Sequence, residues 1–248
     1  MDTVGYQVRE SRRARRIRLE MTPAGLVVVV PCGTSAAAVA ELVGRHREWI
    51  AGAARRVAER QAALGVGAGA AAAVPDRLEL RAVGESWRLE LRPERMPAGR
   101  CHLFAEGVRS PQPVLALAHA AAAPPPVTAV RALVREWLRR RAAAALPEWL
   151  RRTARETALP EPARIRLGFQ RSRWGSCARD GGISLNVKLL FLPPELVSHI
   201  FVHELCHQLH MDHGAGFHRL LRRLDPAAAR RRLELRRAAA LVPAWCEV

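Results

Sequence analysis

The sequence predicts an α+β protein, and three observations lead to it. Strand patterns crowd residues 6–30. Helices with an apolar stripe follow at about Val127–Ala145 and Pro147–Thr157. The last third then sets short strands ahead of a helix that reads His203-Glu204-Leu205-Cys206-His207.

The first strands rest on two different patterns. Arg16–Met21 alternates apolar and polar residues strictly, as a half-buried strand requires. Leu26–Val30 is a continuous β-branched run that suits a buried strand, with Thr22-Pro23-Ala24-Gly25 as the turn between them. Pro31-Cys32-Gly33 ends the run. Thr34 or Ser35 then caps a helix to about Leu64, with Val39, Leu42, Val43, His46, Trp49 and Ile50 along one face.

Gly65–Ala73 is a glycine and alanine stretch without the Lys-Ser/Thr of a phosphate loop, and it reads as a linker. Short strands are expected at about Arg77–Ala82, Ser86–Leu91 and His102–Phe104, and residues 110–126, rich in proline and alanine, read as a loop. Val130, Leu133, Val134, Trp137 and Leu138 make the stripe of the next helix. Arg164–Phe169 and Ile183–Lys188 read as strands on either side of a long turn, Arg171–Gly182. Pro193-Pro194 opens a helix from about Glu195 to His210, and Asp212-His213-Gly214 breaks it. A helix at about Ala215–Leu224 and a charged terminal helix complete the chain. The domain expectation is a β-rich amino-terminal region over 1–126, then a catalytic domain over 127–248.

Composition narrows the class. The chain has 248 residues and an ordinary apolar fraction of 49%, which fits a folded globular protein. No run of about 18 apolar residues offers a membrane span. Cys32, Cys101, Cys177, Cys206 and Cys246 are odd in number and scattered, which suits free thiols in a cytoplasm. The formal charge of +17 suggests an anionic partner. Of the 40 basic residues only Lys188 is lysine, however, and arginine is spread through every segment. That uniformity reads as compositional bias and solvated helix faces more than as a nucleic-acid footprint.

The chemistry sits in the last third. His203 and His207 lie four residues apart on one helix face, about 6 Å along the axis, and converge on one zinc from there. Glu204 projects beside them, placed to take a proton from zinc-bound water. For a third ligand, His199 lies too far from His207, and His210 too far from His203 while the helix continues. His213 stands beyond the break, where the chain turns back, at the spacing of three-histidine zinc peptidases. The expected set is therefore Zn²⁺ on His203, His207 and His213, with Glu204 as base. Cys206 falls on another face, and Asp212 is a candidate to orient an imidazole.

At these residues the chain resembles the YgjP-like metallopeptidase family. The resemblance is carried by Arg171-Ser172-Arg173-Trp174-Gly175-Ser176-Cys177, Ile183-Ser184-Leu185-Asn186, Pro193-Pro194-Glu195, His203 through His213, and Phe217. Ser11–Arg16 and His46-Arg47-Glu48-Trp49-Ile50 resemble its amino-terminal region. The family implies a zincin-like catalytic domain related to SprT-like proteases, with the active-site helix against a small antiparallel sheet. It implies the same three ligands and the same base. Ile183–Lys188 would then be the sheet edge beside that helix, open to an extended peptide.

Arg173, Trp174, Ser176 and Asn186 are candidate substrate contacts. Arg173 could hold a carboxylate or phosphate, or stabilise an oxyanion, whereas Trp174 could equally pack the turn under the helix. Three functions stay in view: a zinc peptidase acting on peptides or unfolded proteins, a metal-dependent nucleotide pyrophosphatase, and a nucleic-acid-associated protein. The last has no need of Glu204.

Overall fold

The computed structural model describes residues 6–12, 14–22, 25–63, 76–108, 110, 112–121 and 124–247. It is a mixed α and β structure, with six helices and three small sheets among the described residues. Met1–Ala73 with Pro243–Val248 form one unit, and Val74–Val242 form the other. The boundary expected at residue 126 falls inside the second unit. The stretch read as a linker lies outside the described residues.

In the first unit, β1 (Tyr6–Glu10), β2 (Arg18–Thr22) and β3 (Gly25–Val30) form a sheet with β3 in the centre. β3 runs parallel to β1 and antiparallel to β2, which explains its unbroken apolar run. The expected turn centre, Pro23-Ala24, lies outside the described residues. The expected single helix is two: α1 (Ala36–Arg45) and α2 (Arg47–Ala63), interrupted at His46. Ser35 caps α1 by accepting from the Ala38 N–H, and the His46 ring bonds back to the Leu42 carbonyl at 3.0 Å. The break alters the buried face. Val39 and Ile50 pack on Leu26, Val28 and Val30, while Trp49 is left 46% exposed.

The second unit opens with a four-stranded sheet in the order β4 (Arg77–Leu80), β5 (Glu85–Glu94), β7 (Val114–Ala120), β6 (Cys101–Glu106). The expected loop over 110–126 is thus corrected, because it holds a central strand. β7 pairs with β5 on one side and β6 on the other, and Leu115 to Ala118 are fully buried. A strand covered on both faces needs no polar alternation, so proline and alanine content concealed it.

The two helices expected between residues 127 and 157 are one, α3 (Val127–Glu156), with Pro147 inside it. Pro147 removes one backbone bond, yet Leu146 and Leu150 are fully buried on the same stripe and carry the helix through. α3 packs against α4 (Pro194–Cys206), where Trp149 meets Phe201 edge to face at 5.4 Å.

The third sheet has the order β8 (Arg164–Gly168), β10 (Gly182–Asn186), β9 (Gly175–Cys177). This corrects a second expectation. Ile183–Asn186 is the central strand, and the short β9, hidden in the expected long turn, is the edge that packs on α4. After α4 come α5 (Ala215–Leu224) and α6 (Ala228–Ala238). No helix among the described residues is long and apolar enough to cross a membrane.

Candidate metal centre

α4 ends at Cys206, earlier than expected, with His207 as its cap and a tight turn behind it. The Gln208 and Leu209 N–H groups bond to carbonyls only three residues back, at 3.0 and 3.1 Å, so the chain tightens into a turn at the helix end rather than extending it. That turn, followed by Asp212 to Gly214, brings His213 back over the face carrying His203 and His207.

The three imidazoles converge. One donor nitrogen from each lies within 4.8 Å of the other two. The Nε2 atoms of His203 and His213 are 3.2 Å apart. Two nitrogens on one tetrahedral ion, each about 2.0–2.1 Å from it, stand roughly 3.3 Å apart, so the pair already has the spacing of shared ligands. The His207 Nδ1–H donates to the His210 carbonyl at 3.0 Å, which leaves its Nε2 as the donor facing the cluster.

Phe217, on the first turn of α5, holds all three rings. It stacks on His207 at 4.6 Å and meets His213 at 4.7 Å and His203 at 5.0 Å edge to face. Burial lowers the His203 pKa to about 3, reinforced by the neighbouring imidazoles and by Arg232. His213 is lowered for the same first reason, then by His207, His218 and Arg232, with Asp212 opposing. Both rings are therefore held neutral, the state in which imidazole binds a metal.

Glu204, next to His203 on α4, is buried. Burial raises its pKa to about 7, against the opposing pull of the Cys177 N–H bonded to its carboxylate and of the Arg173 charge. β9 presses on this side chain. A Cβ on Gly175 would stand 2.8 Å from the Glu204 Cγ and Oε1. The glycine needed here is one of close approach, not of unusual backbone angle.

The candidate substrate contacts separate. Arg173 is exposed and close enough to Glu204 for its charge to act there. Trp174 is half-buried, with its carbonyl accepting from the Asn186 N–H at 2.9 Å. Ser176 is half-buried in β9, opposite Ser184. Asn186 is 2% exposed, and its side chain is occupied by the chain itself. Its Nδ2 donates to the Gln170 and Arg173 carbonyls, both at 2.9 Å, and its Oδ1 accepts from the Lys188 N–H at 3.1 Å. It clamps the loop before β9 and leaves no face for a substrate.

Other residues around the helix take structural parts. Cys206 is buried, and burial pushes its thiol up to about 11. Asp212 is exposed. The His210 ring lies against Gly216, where an added Cβ would come within 2.8 Å. His199, set aside as a ligand for its distance from His207, is buried and bonds through Nδ1 to Asp225 Oδ2 at 2.6 Å. Its place one helical turn before His203 is visible in the sequence, but its partner, 26 residues further on, has no local signal.

Three converging imidazoles with a buried glutamate next in sequence to the first are groups that fit a metal-dependent hydrolase. Residues 15–238 match the family described as YgjP-like, metallopeptidase domain, and the chain belongs to that family. Membership implies a metal ion, for which the three histidines are a fitting site. No curated protein and no solved structure matches the chain.

Proposed function

We propose that the protein is a zinc peptidase in which His203, His207 and His213 hold the metal and Glu204 is the general base. The observation that carries this reading is the placement of Glu204. A buried carboxylate beside three metal-binding nitrogens, with a pKa raised to about 7, has no part to play in a purely structural site. Zinc bound there would supply Lewis acidity, polarising the scissile carbonyl and acidifying the attacking water.

The chain supplies the remainder. Glu204 accepts the proton of the attacking water and returns it to the leaving amine, and a pKa near neutrality suits both transfers. The Cys177 N–H and the missing side chain of Gly175 fix its carboxylate. β9 is the sheet edge beside α4, with Ser176 registered to Ser184 of β10. The alternation of an antiparallel ladder turns the backbone groups of Gly175 and Cys177 away from β10. An extended substrate adding along this edge passes over Glu204. Asn186 holds the preceding loop, and with it Arg173, in place. The odd number and wide scatter of the cysteines in the sequence favour a reducing, cytoplasmic setting.

Glu204→Gln tests the reading. It keeps size and leaves all three imidazoles, so fold and zinc content should survive while peptide cleavage falls by roughly 10²- to 10⁴-fold. Cleavage of a peptide at equal rates by wild type and variant would sink the mechanism. Loss of nucleoside triphosphate hydrolysis in the variant, with no peptide cleaved by either, would transfer the site to nucleotides.

A further inference from the structure

The four-stranded sheet ends on an open edge. β6 pairs with β7 on one side and, among the described residues, with no strand on the other. The bonds of β7 show which groups face outward. The Arg88 N–H bonds to the Pro113 carbonyl at 3.0 Å and the Ala121 N–H to the Glu94 carbonyl at 3.1 Å. Odd-numbered residues of β7 therefore turn their backbone groups to β5, and even-numbered ones turn theirs to β6. Ala118 opposes His102 and Ala116 opposes Phe104, so β7 uses the even-numbered residues of β6. Cys101, Leu103 and Ala105 are left with N–H and C=O groups aimed away from the sheet.

Edge strands are normally guarded by charge, proline or shortness. β1, β2, β4 and β8 each carry two charged residues, and β9 has only three residues. β6 runs six residues without proline, and its one formal charge is Glu106 at the far end. Arg100, immediately before the strand, is exposed and in no ion pair among the described residues.

We propose that β6 pairs antiparallel with β6 of a second copy about a two-fold axis at Leu103, joining two four-stranded sheets into one. Only residues that both face outward can bond across such an axis, so odd must oppose odd and even oppose even. With Leu103 opposite itself, Cys101 opposes Ala105 twice. All three outward-facing residues are then satisfied, through about six backbone bonds. The same register sets Arg100 opposite Glu106 of the second copy at both ends, in the pair type whose side chains stand closest. Glu106 already accepts from Arg92 at 3.0 Å, so Arg100 extends that chain of charges. His102 and Phe104, stacked at 5.4 Å within one copy, oppose Phe104 and His102 of the other. Moving the axis by one residue in either direction loses both ion pairs. β6 carries none of the residues of the peptidase reading, and the pairing stands apart from it.

Sedimentation of the full chain over a range of concentrations should show a dimer. Arg100→Glu sets like charges opposite one another at both ends and should raise the dimer dissociation constant by about tenfold, with circular dichroism showing the variant folded. Ala105→Cys tests the register. It places a thiol opposite Cys101 of the second copy, and mild oxidation should give a linked dimer whose peptide map joins Cys101 to position 105. Within one chain these positions are four strand residues apart, about 13 Å, too far to bond. Adding Cys101→Ser should remove the link.

A wild type that sediments as a monomer at every concentration overturns the inference. So does a dimer that Arg100→Glu leaves intact, or one whose cross-link maps elsewhere, because the interface then lies outside this edge.

Discussion

The Glu204 carboxylate occupies the space that a side chain on Gly175 would need, with Cγ and Oε1 each 2.8 Å from where a Cβ would stand. Carboxylate and sheet edge are therefore packed to a tolerance of less than one methyl group. Gly175→Ala should displace Glu204 rather than the backbone, because the glutamate is the far end of a flexible side chain. Turnover should fall about 10²-fold, the scale of an ångström-sized misplacement of a catalytic group. Zinc content, set by three imidazoles outside the clash, should hold. Steady-state kinetics beside metal analysis check this, and normal turnover in Gly175→Ala would remove the tight packing from the mechanism.

The ligand assignment is tested by contrast between two histidines. His213→Ala removes a donor nitrogen and should reduce zinc occupancy, read by elemental analysis after dialysis, well below one ion per chain. His210→Ala should retain zinc, because His210 serves the site through its backbone carbonyl, which receives His207 Nδ1 at 3.0 Å and survives the substitution. The reverse pattern would exchange their roles.

Much of this site is legible in the sequence for a simple reason. A helix places residues four apart on one face, so His203 and His207 announce their proximity, and the break at Asp212 to Gly214 announces a return for His213. Non-local contacts carry no such period. β7 escapes notice because a strand paired on both sides and buried on both faces has no alternation to read. β9 has three residues, too few for a pattern, and without it β10 reads as the edge. Pro147 signals a break that the burial of Leu146 and Leu150 overrides. Asn186 reads as polar and available, when its amide is engaged by carbonyls 13 and 16 residues away.

A pH effect on stability follows from the link between the four-stranded sheet and α3. Glu85 is subject to burial, which raises its pKa, but bonds from Arg141 and Trp87 and the Arg141 charge outweigh it, so the folded value lies below the ordinary one. A carboxylate with a lowered folded pKa stabilises fully above its unfolded pKa, about 4.3. The contribution then fades as pH falls from that value through the lowered folded pKa. The melting-temperature gap between wild type and Glu85→Gln should therefore be constant above about pH 5 and shrink below it. A gap that widens in acid would reverse the sign assigned to this pair.

The His199–Asp225–Arg231 network yields the last prediction. Asp225 closes α5, accepts from the Ala227 N–H ahead of α6, and bonds the buried His199 of α4, so three helices meet on one carboxylate. Asp225→Asn keeps the volume but removes the anion facing Arg231, and it turns an acceptor towards a donor at one of the two oxygens. Removing one partner from a buried pair costs about 3–5 kcal/mol, more than most single substitutions. Chemical denaturation should show a loss of this size with an unchanged slope. His199→Phe separates the two bonds, since it deletes only the Oδ2 partner and leaves Arg231 in place. Because both substitutions remove the same His199–Asp225 bond, the double variant should lose less than the sum of the singles. The network also fixes α5, which carries Phe217 against all three imidazoles. Zinc affinity in Asp225→Asn should therefore fall even where the protein remains folded. Stability losses that add independently, with zinc affinity intact, would show that Asp225 anchors α6 alone and has no part in holding the metal centre.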